Sequence, residues 1–189
     1  MGTAIPKTSL SNGVVTLRPL EMSDVADVTL ACQDREIFRW TAVIPSPYTE
    51  EDAKGWIATH EQQRSEGEAA PFAIVDAVDG RLLGTMGLNT IDWEERHAMV
   101  GYWVASWARG HGVATSALQL LVGWAFGGLG LSTIELTVLI GNSASERVAQ
   151  KSGFSLVRVV DNYQHPRVDG SSFRVTLWRI ENSDGGSVS

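Results

Sequence analysis

Residues 97–126 read HAMVGYWVASWARGHGVATSALQLLVGWAF, and within them the spacing of the apolar residues changes from a period of two to a period near 3.6. Residues 97–104 alternate and are rich in aromatic and β-branched side chains, as a strand requires, whereas residues 114–126 place apolar side chains at helical spacing. Residues 132–140 return to the shorter period, with Ile134, Leu136 and Val138 on one face. Strand, helix and strand in succession make a crossover, and a crossover joins parallel strands.

Outward from this unit the chain reads as further strands and helices. Residues 14–20 alternate as a strand, and Ser23-Asp24 caps an apolar-periodic segment running to about residue 33. After Phe38-Arg39-Trp40 the turn Pro45-Ser46-Pro47-Tyr48 leads to Thr49, an N-cap whose acidic first turn opens a second helix through Trp56, Ile57 and His60. Residues 72–75 and 81–88 form two strands around the Asp79-Gly80 hairpin signal, ahead of the strand at 97–104. A short helix over 142–152 ends at Gly153, and residues 154–160 and 173–180 supply two closing strands. The expectation is an α/β (α+β) fold: one domain over 14–180 with a mixed, mostly antiparallel sheet of about seven strands, one β-α-β crossover and flanking helices. Residues 1–13 and 181–189 are expected to be flexible ends.

Composition narrows the class of protein. With 189 residues, 43% of them apolar and 20% charged, the chain can bury a core of its own. No apolar run reaches membrane-spanning length and residues 1–13 lack a signal-peptide core, so a cytoplasmic protein is expected, without membrane partners. Cys32 is the only cysteine, which leaves neither an intrachain disulfide nor a Cys-based metal cluster, and no metal is expected. The net charge of −7 disfavours nucleic acid as a partner. Residues 21–68 hold eleven acids and four bases and so carry that whole imbalance. Such a run is either a solvated face or a field that draws in a cation. Trp93, Trp103, Trp107, Trp124 and Trp178 belong mostly to the core, although a Trp-rich surface would allow a homodimer.

Two segments carry candidate chemistry. Arg109-Gly110-His111-Gly112-Val113-Ala114-Thr115 joins a strand to a helix N-terminus, where glycines let several backbone N–H groups converge and the helix dipole favours an anion such as a diphosphate. A P-loop needs Gly-Lys-Ser/Thr where Val113-Ala114 stands, and a dinucleotide fingerprint needs Gly or Ala in place of Thr115, so neither ATP nor NAD is indicated. The second segment runs from Asn142 to Phe154. Asn142 is an N-cap and Ser145 occupies the third helical position, so both side chains lie near a helix start. That helix follows the strand parallel to the one feeding the glycine loop. Ligands in such sheets bind at the carboxyl ends of the strands, so the two segments are expected to face one cleft.

Arg-Gly-x-Gly-x-Ala at 109–114, followed by Asn-x-x-Ser-x-Arg-Val-x-x-Lys-x-Gly-Phe at 142–154, resembles the GNAT superfamily of acyl-CoA-dependent N-acyltransferases. Leu17-Arg18-Pro19-Leu20, the stretch from Pro47 to Ala53 and Gly101-Tyr102-Trp103-Val104 are similar to the RimJ/RimL branch, which acts on ribosomal-protein N-termini. The resemblance implies a coenzyme A thioester as co-substrate, with acetyl-CoA foremost, and an amine acceptor that attacks it directly in a ternary complex. It implies that Arg109, Gly110, His111, Gly112, Val113, Ala114 and Thr115 hold the diphosphate and that Trp103 and Val104 pair with the pantetheine arm. Asn142 would touch pantetheine, Ser145 would protonate the departing thiolate, and Arg147 and Lys151 would reach the 3′-phosphate. Many relatives carry Glu where this chain has Met99. His97 shares a face with Met99 by alternation and is the candidate base, with Glu135 and water as alternatives. The two N-terminal helices would wall the acceptor, through Asp34, Glu36, Glu50, Trp40 and Tyr48, for a peptide N-terminus or a small cationic amine. His165 is expected in an ordinary surface loop, and Cys32 away from the thioester. A non-catalytic acyl-CoA sensor is the alternative, kept open by Met99.

Overall fold

The alternating residues that begin the crossover lie mid-sheet, with Ala98, Val100 and Trp103 buried and His97, Met99, Gly101, Tyr102 and Val104 half-buried. The structure, a computed structural model, describes residues 2–41, 43–165 and 170–183. In chain order its elements are β1 (Leu10–Ser11), β2 (Val15–Arg18), α1 (Val25–Cys32), α2 (Arg35–Trp40), α3 (Glu50–Ala58), α4 (His60–Ser65), β3 (Ala70–Asp76), β4 (Leu82–Asp92), β5 (His97–Val104), α5 (Val113–Gly127), β6 (Thr133–Leu139), α6 (Ser143–Lys151), β7 (Ser155–Gln164) and β8 (Ser172–Glu181). The sheet runs β1-β2-β3-β4-β5-β6-β8-β7. Neighbours are antiparallel except β5 and β6, the pair that α5 connects. The expected mixed sheet with one crossover is what forms.

Alternation sorts side chains to the two faces. Val113, Ala117, Leu118, Leu121, Val122 and Ala125 make the buried stripe of α5, at the spacing of one helix face. They join Leu17, Phe72, Ile74, Met86, Leu88, Ala98, Val100, Ile134 and Leu136 in one core. On the opposite face Val28, Ile37, Ala53 and Ile57 from α1, α2 and α3 pack with Ala73, Val75 and Trp103. Trp103 and Trp178 are buried, and Trp93, Trp107 and Trp124 pack half-buried against the first core, so the tryptophans leave no exposed patch of their own.

Two details differ from the sequence reading. The N-terminal segment is anchored: Ile5 is buried, its N–H donates to Arg64 O at 2.9 Å, and Leu10–Ser11 adds an eighth strand. A single apolar residue in a polar run has no period, which hid this contact. Residues 35–40 form a helix too short to show one, started by Asp34, whose carboxylate accepts from Glu36 N at 2.9 Å. The residues from 184 onward, part of the expected flexible end, lie outside the described residues.

β5 and β6 decide where a ligand can enter. They register over three rows, His97↔Thr133, Ala98↔Ile134 and Met99↔Glu135, and then part. β5 stays paired with β4 as far as Val104, and β6 stays paired with β8 as far as Leu139. The sheet therefore opens as a wedge between residues 100–104 and 136–139.

A buried ion pair braces the start of α1. Arg18 binds both oxygens of Asp24, at 2.8 and 2.7 Å, and Glu21 N donates to Asp24 at 2.8 Å. Burial acts to raise the Asp24 pKa, but the Arg18 bonds, the Glu21 N–H and the Arg18 charge outweigh it and the pKa is lowered. A carboxyl depressed in the folded state stabilises above its unfolded pKa of about 4 and loses that contribution as pH falls through the folded value. Asp24→Asn is expected to cost about 1.5–3 kcal/mol at pH 7, as for hydrogen bonds to charged groups. Urea unfolding should show the gap from wild type narrowing below about pH 4.

Candidate active site

The wedge widens into a cleft of about 720 Å3. β5 lines it from Met99 to Val104, β6 from Leu136 to Leu139, and the start of α6 with Asn142, Ala144 and Ser145. Past Gly141, at φ +94°, the chain turns into α6, and Asn142 Oδ1 caps it by accepting from Ser145 N at 3.2 Å. Ser145 is thereby fixed on the first turn, and its Oγ lies 2.7 Å from Tyr102 OH. Tyr102 stands on β5, so this bond spans the wedge. Burial, partly offset by the Ser145 bond, pushes the Tyr102 phenol up to about 12, and it stays protonated at neutral pH.

The Tyr102 contact was missed by sequence reasoning. Gly101-Tyr102-Trp103-Val104 was visible as a motif, but a bond between residues 43 apart needs the topology. A parallel wedge with α6 at its mouth is the signal that brings these two hydroxyls together.

The glycine loop lies at the same end of the sheet. Gly110 and Gly112 have φ of +81° and +76°, conformations that favour glycine, and Gly112 is the N-cap of α5 with no side-chain capping bond. The first N–H groups of α5 thus lack intrahelical partners, and no acidic side chain stands in its first turn. Arg109 and Ala114 line the cleft, whereas His111 is exposed. Arg109 Nη1 pairs with Asp34 Oδ2 at 2.8 Å, and its Nε donates to Val104 O at 3.1 Å. Arg147 and Lys151 are exposed on α6 and do not line the cleft, Arg147 donating to Ser143 Oγ at 3.2 Å.

His97 is on the expected face but at the closed end of the wedge. It stands in the first paired row, with Nε2 3.1 Å from Glu135 Oε2, and does not line the cleft. Glu135 also accepts from Arg179 Nε and Nη2, at 2.8 and 2.7 Å, and is mostly buried rather than facing solvent. Alternation identifies the face of a strand and says nothing of depth along it, which is why His97 looked placed for catalysis.

The acidic wall is also corrected. Asp34 is committed to Arg109, Glu36 accepts from Trp40 Nε1 at 2.9 Å and lies 3.6 Å from Arg39, and Glu50 lies 3.3 Å from Lys54. Glu36, Trp40 and Tyr48 line the cleft; Asp34 and Glu50 do not. His165, expected on the surface, is half-buried and lines the cleft beside Tyr163 and Phe173. Cys32 lines the cleft as well, but burial pushes its thiol up to about 12, which leaves it a poor nucleophile.

Residues 15–155 match the acetyltransferase (GNAT) domain family. The chain belongs to the GNAT acetyltransferases. A Bacillus subtilis (strain 168) protein named "Probable N-acetyltransferase YjcK" is 32% identical over 149 residues, 77% of this chain and 82% of the relative. The fold is that of Mycobacterium smegmatis RimJ in complex with CoA-disulfide, at a TM-score of 0.85 and 24% identity over 99% of this chain and 93% of that one. Vibrio cholerae spermidine N-acetyltransferase in complex with CoA and spermine superposes at a TM-score of 0.75, with 21% identity over 90% and 96% of the two chains. Family membership makes this GNAT protein an acetyl-CoA-dependent N-acetyltransferase. Among the described residues, no helix is long and apolar enough to cross a membrane and no cluster of His, Cys, Asp and Glu could hold a metal.

The Asp34 contacts separate into two parts. Asp34→Asn keeps a good N-cap and loses the ion pair, and should cost about 0.2–1 kcal/mol. Asp34→Ala loses both and should cost about 1–2 kcal/mol, with urea midpoints giving the order wild type, Asn, Ala.

Proposed function

We propose that this GNAT enzyme transfers the acetyl group of acetyl-CoA to a primary amine, with the chemistry centred on Ser145 and Tyr102 at the mouth of the wedge. The wedge and the loop suit the coenzyme: the N–H groups at the start of α5 face the cleft end of the sheet, and residues 100–104 of β5 run without a β6 partner. The loop from Arg109 to Thr115 would hold the diphosphate through backbone N–H groups, and Trp103 and Val104 would flank the pantetheine arm, with Asn142 beside it. Arg147 and Lys151 are placed for an exposed 3′-phosphate at most. Bound there, acetyl-CoA supplies the acetyl group as an activated thioester.

The observation that carries this reading is the bond between Tyr102 and Ser145 across the wedge. Either hydroxyl can donate in this bond; in the arrangement we propose Tyr102 donates to Ser145 Oγ, which leaves the serine's own proton for the cleft. Ser145 is then the proton donor to the departing sulfur and regains a proton from the solvent that took the amine's, and Tyr102 is a positioning residue. The acceptor amine enters between α2, α3 and the cleft-lining residues Tyr163 and Phe173 of β7 and β8, and must arrive neutral to attack. Among the described residues, β5 and β6 put no carboxylate or imidazole into the cleft. Glu36, Asp52 and His165 line the cleft from the acceptor side; with no base on the two strands that flank the thioester, we assign the amine's proton to water, and the enzyme supplies proximity and orientation, worth several kcal/mol. Both acceptor classes expected from the sequence, a peptide N-terminus and a small amine, fit this scheme.

Thiol release from acetyl-CoA tests it. Ser145→Ala is expected to lower kcat about 100-fold, and Tyr102→Phe less, with coenzyme A affinity from calorimetry changed little in either. Full turnover by Ser145→Ala removes the serine from the mechanism. With water as the base, kcat/KM should climb with pH toward the acceptor's own pKa, with no step near 6.5. His97→Asn should leave that profile unaltered, and a step lost in this variant would restore His97 as the base.

A further inference from the structure

We infer that the acceptor carries a single ammonium on a bulky apolar or aromatic body, and is not a polyamine. This rests on the transferase reading above and concerns the same cleft. Its acceptor side is aromatic from two directions. Trp40 and Trp56 come from α2 and α3, Tyr48 from the segment between them, and Tyr163 and Phe173 from β7 and β8.

The acids at this end are already engaged within the chain. Two of them line the cleft, Glu36 and Asp52. Glu36 is held by the Trp40 indole N–H and lies beside Arg39, whose guanidinium sits 4.6 Å from the Trp40 ring centroid. Asp52 accepts from Thr49 N at 2.8 Å and Thr49 Oγ1 at 2.7 Å, closing the capping box of α3. Asp34 and Glu50, which would have extended a track of negative charge, do not line the cleft and are paired with Arg109 and Lys54.

A polyamine needs several open acids at the spacing of its nitrogens. An amine on a phenyl-sized group asks for the reverse. Its one charge is lost before attack, and its apolar body leaves water against the aromatic walls. Burying a phenyl-sized group is worth about 10- to 100-fold in kcat/KM. Such an amine has two sources, a free arylalkylamine or a peptide whose first residue is large and apolar.

The test uses the full chain with acetyl-CoA and thiol release, with coenzyme A binding measured separately by calorimetry. The acceptors are ethylamine, 2-phenylethylamine, spermidine and two tripeptide amides that begin with Phe or Gly. The expected result is kcat/KM for 2-phenylethylamine, the Phe peptide or both at least about 10-fold above the small partner of each, with spermidine near ethylamine. The two pairs tell the free amine from the peptide. In Trp40→Ala and Phe173→Ala the aromatic preference should shrink to within a few-fold of unity. Spermidine outpacing 2-phenylethylamine overturns the inference and leaves the transferase intact. An aromatic preference that survives both variants overturns the assigned walls. Coenzyme binding without turnover of any acceptor overturns both the inference and the acceptor side of the proposed function, whereas failure to bind coenzyme A overturns the proposed coenzyme site.

Discussion

β5 and β6 hold together for three rows and then separate, and the rest of the molecule is built to tolerate that separation. A strand parted from its neighbour leaves backbone N–H and C=O groups without ladder partners, which is costly inside a protein. The cost is bearable here because each strand is bonded along its other edge, β5 to β4 and β6 to β8, and because one core packed against α5 runs across both half-sheets. The open edges become the most useful backbone in the chain. An extended ligand with amide groups can complete the ladder there, as peptides do when they add to a sheet edge.

The two helices at the mouth of the wedge are started differently. α6 begins with a side-chain cap from Asn142, which uses one backbone donor and sets the rotation that turns Ser145 toward Tyr102. α5 begins at Gly112, with no side-chain cap and no acid in its first turn. One start is satisfied internally and orients a hydroxyl; the other leaves its donors for an anion. That division follows from single residues, Asn at 142 and Gly at 112, and it gives the cleft a proton-donating end and an anion-binding end.

Much of this was legible in the sequence, because glycines, caps and apolar periods are local signals. The crossover, the loop at 109–115 and the capped Ser145 could each be read from a few adjacent residues. Long-range pairing could not. Tyr102 and Ser145, Arg109 and Asp34, and His97 and Glu135 are joined by topology, and their roles change once the partner is known. Asp34 was read as a ligand for a cation and proves to hold an arginine of its own chain. Glu50 was the avoidable case, since Lys54 stands four residues on along the same helix and marks the pair.

The contacts of Arg109 have a mechanical meaning. Its guanidinium ties Val104 at the tip of β5 to Asp34 at the head of α2, and α2 carries Glu36 and Trp40 into the cleft. One side chain thus rivets the anion-binding loop to the wall against which the second substrate rests. Movement of that loop therefore pulls on the N-cap of the helix, so the two halves of the reaction chamber share a linkage.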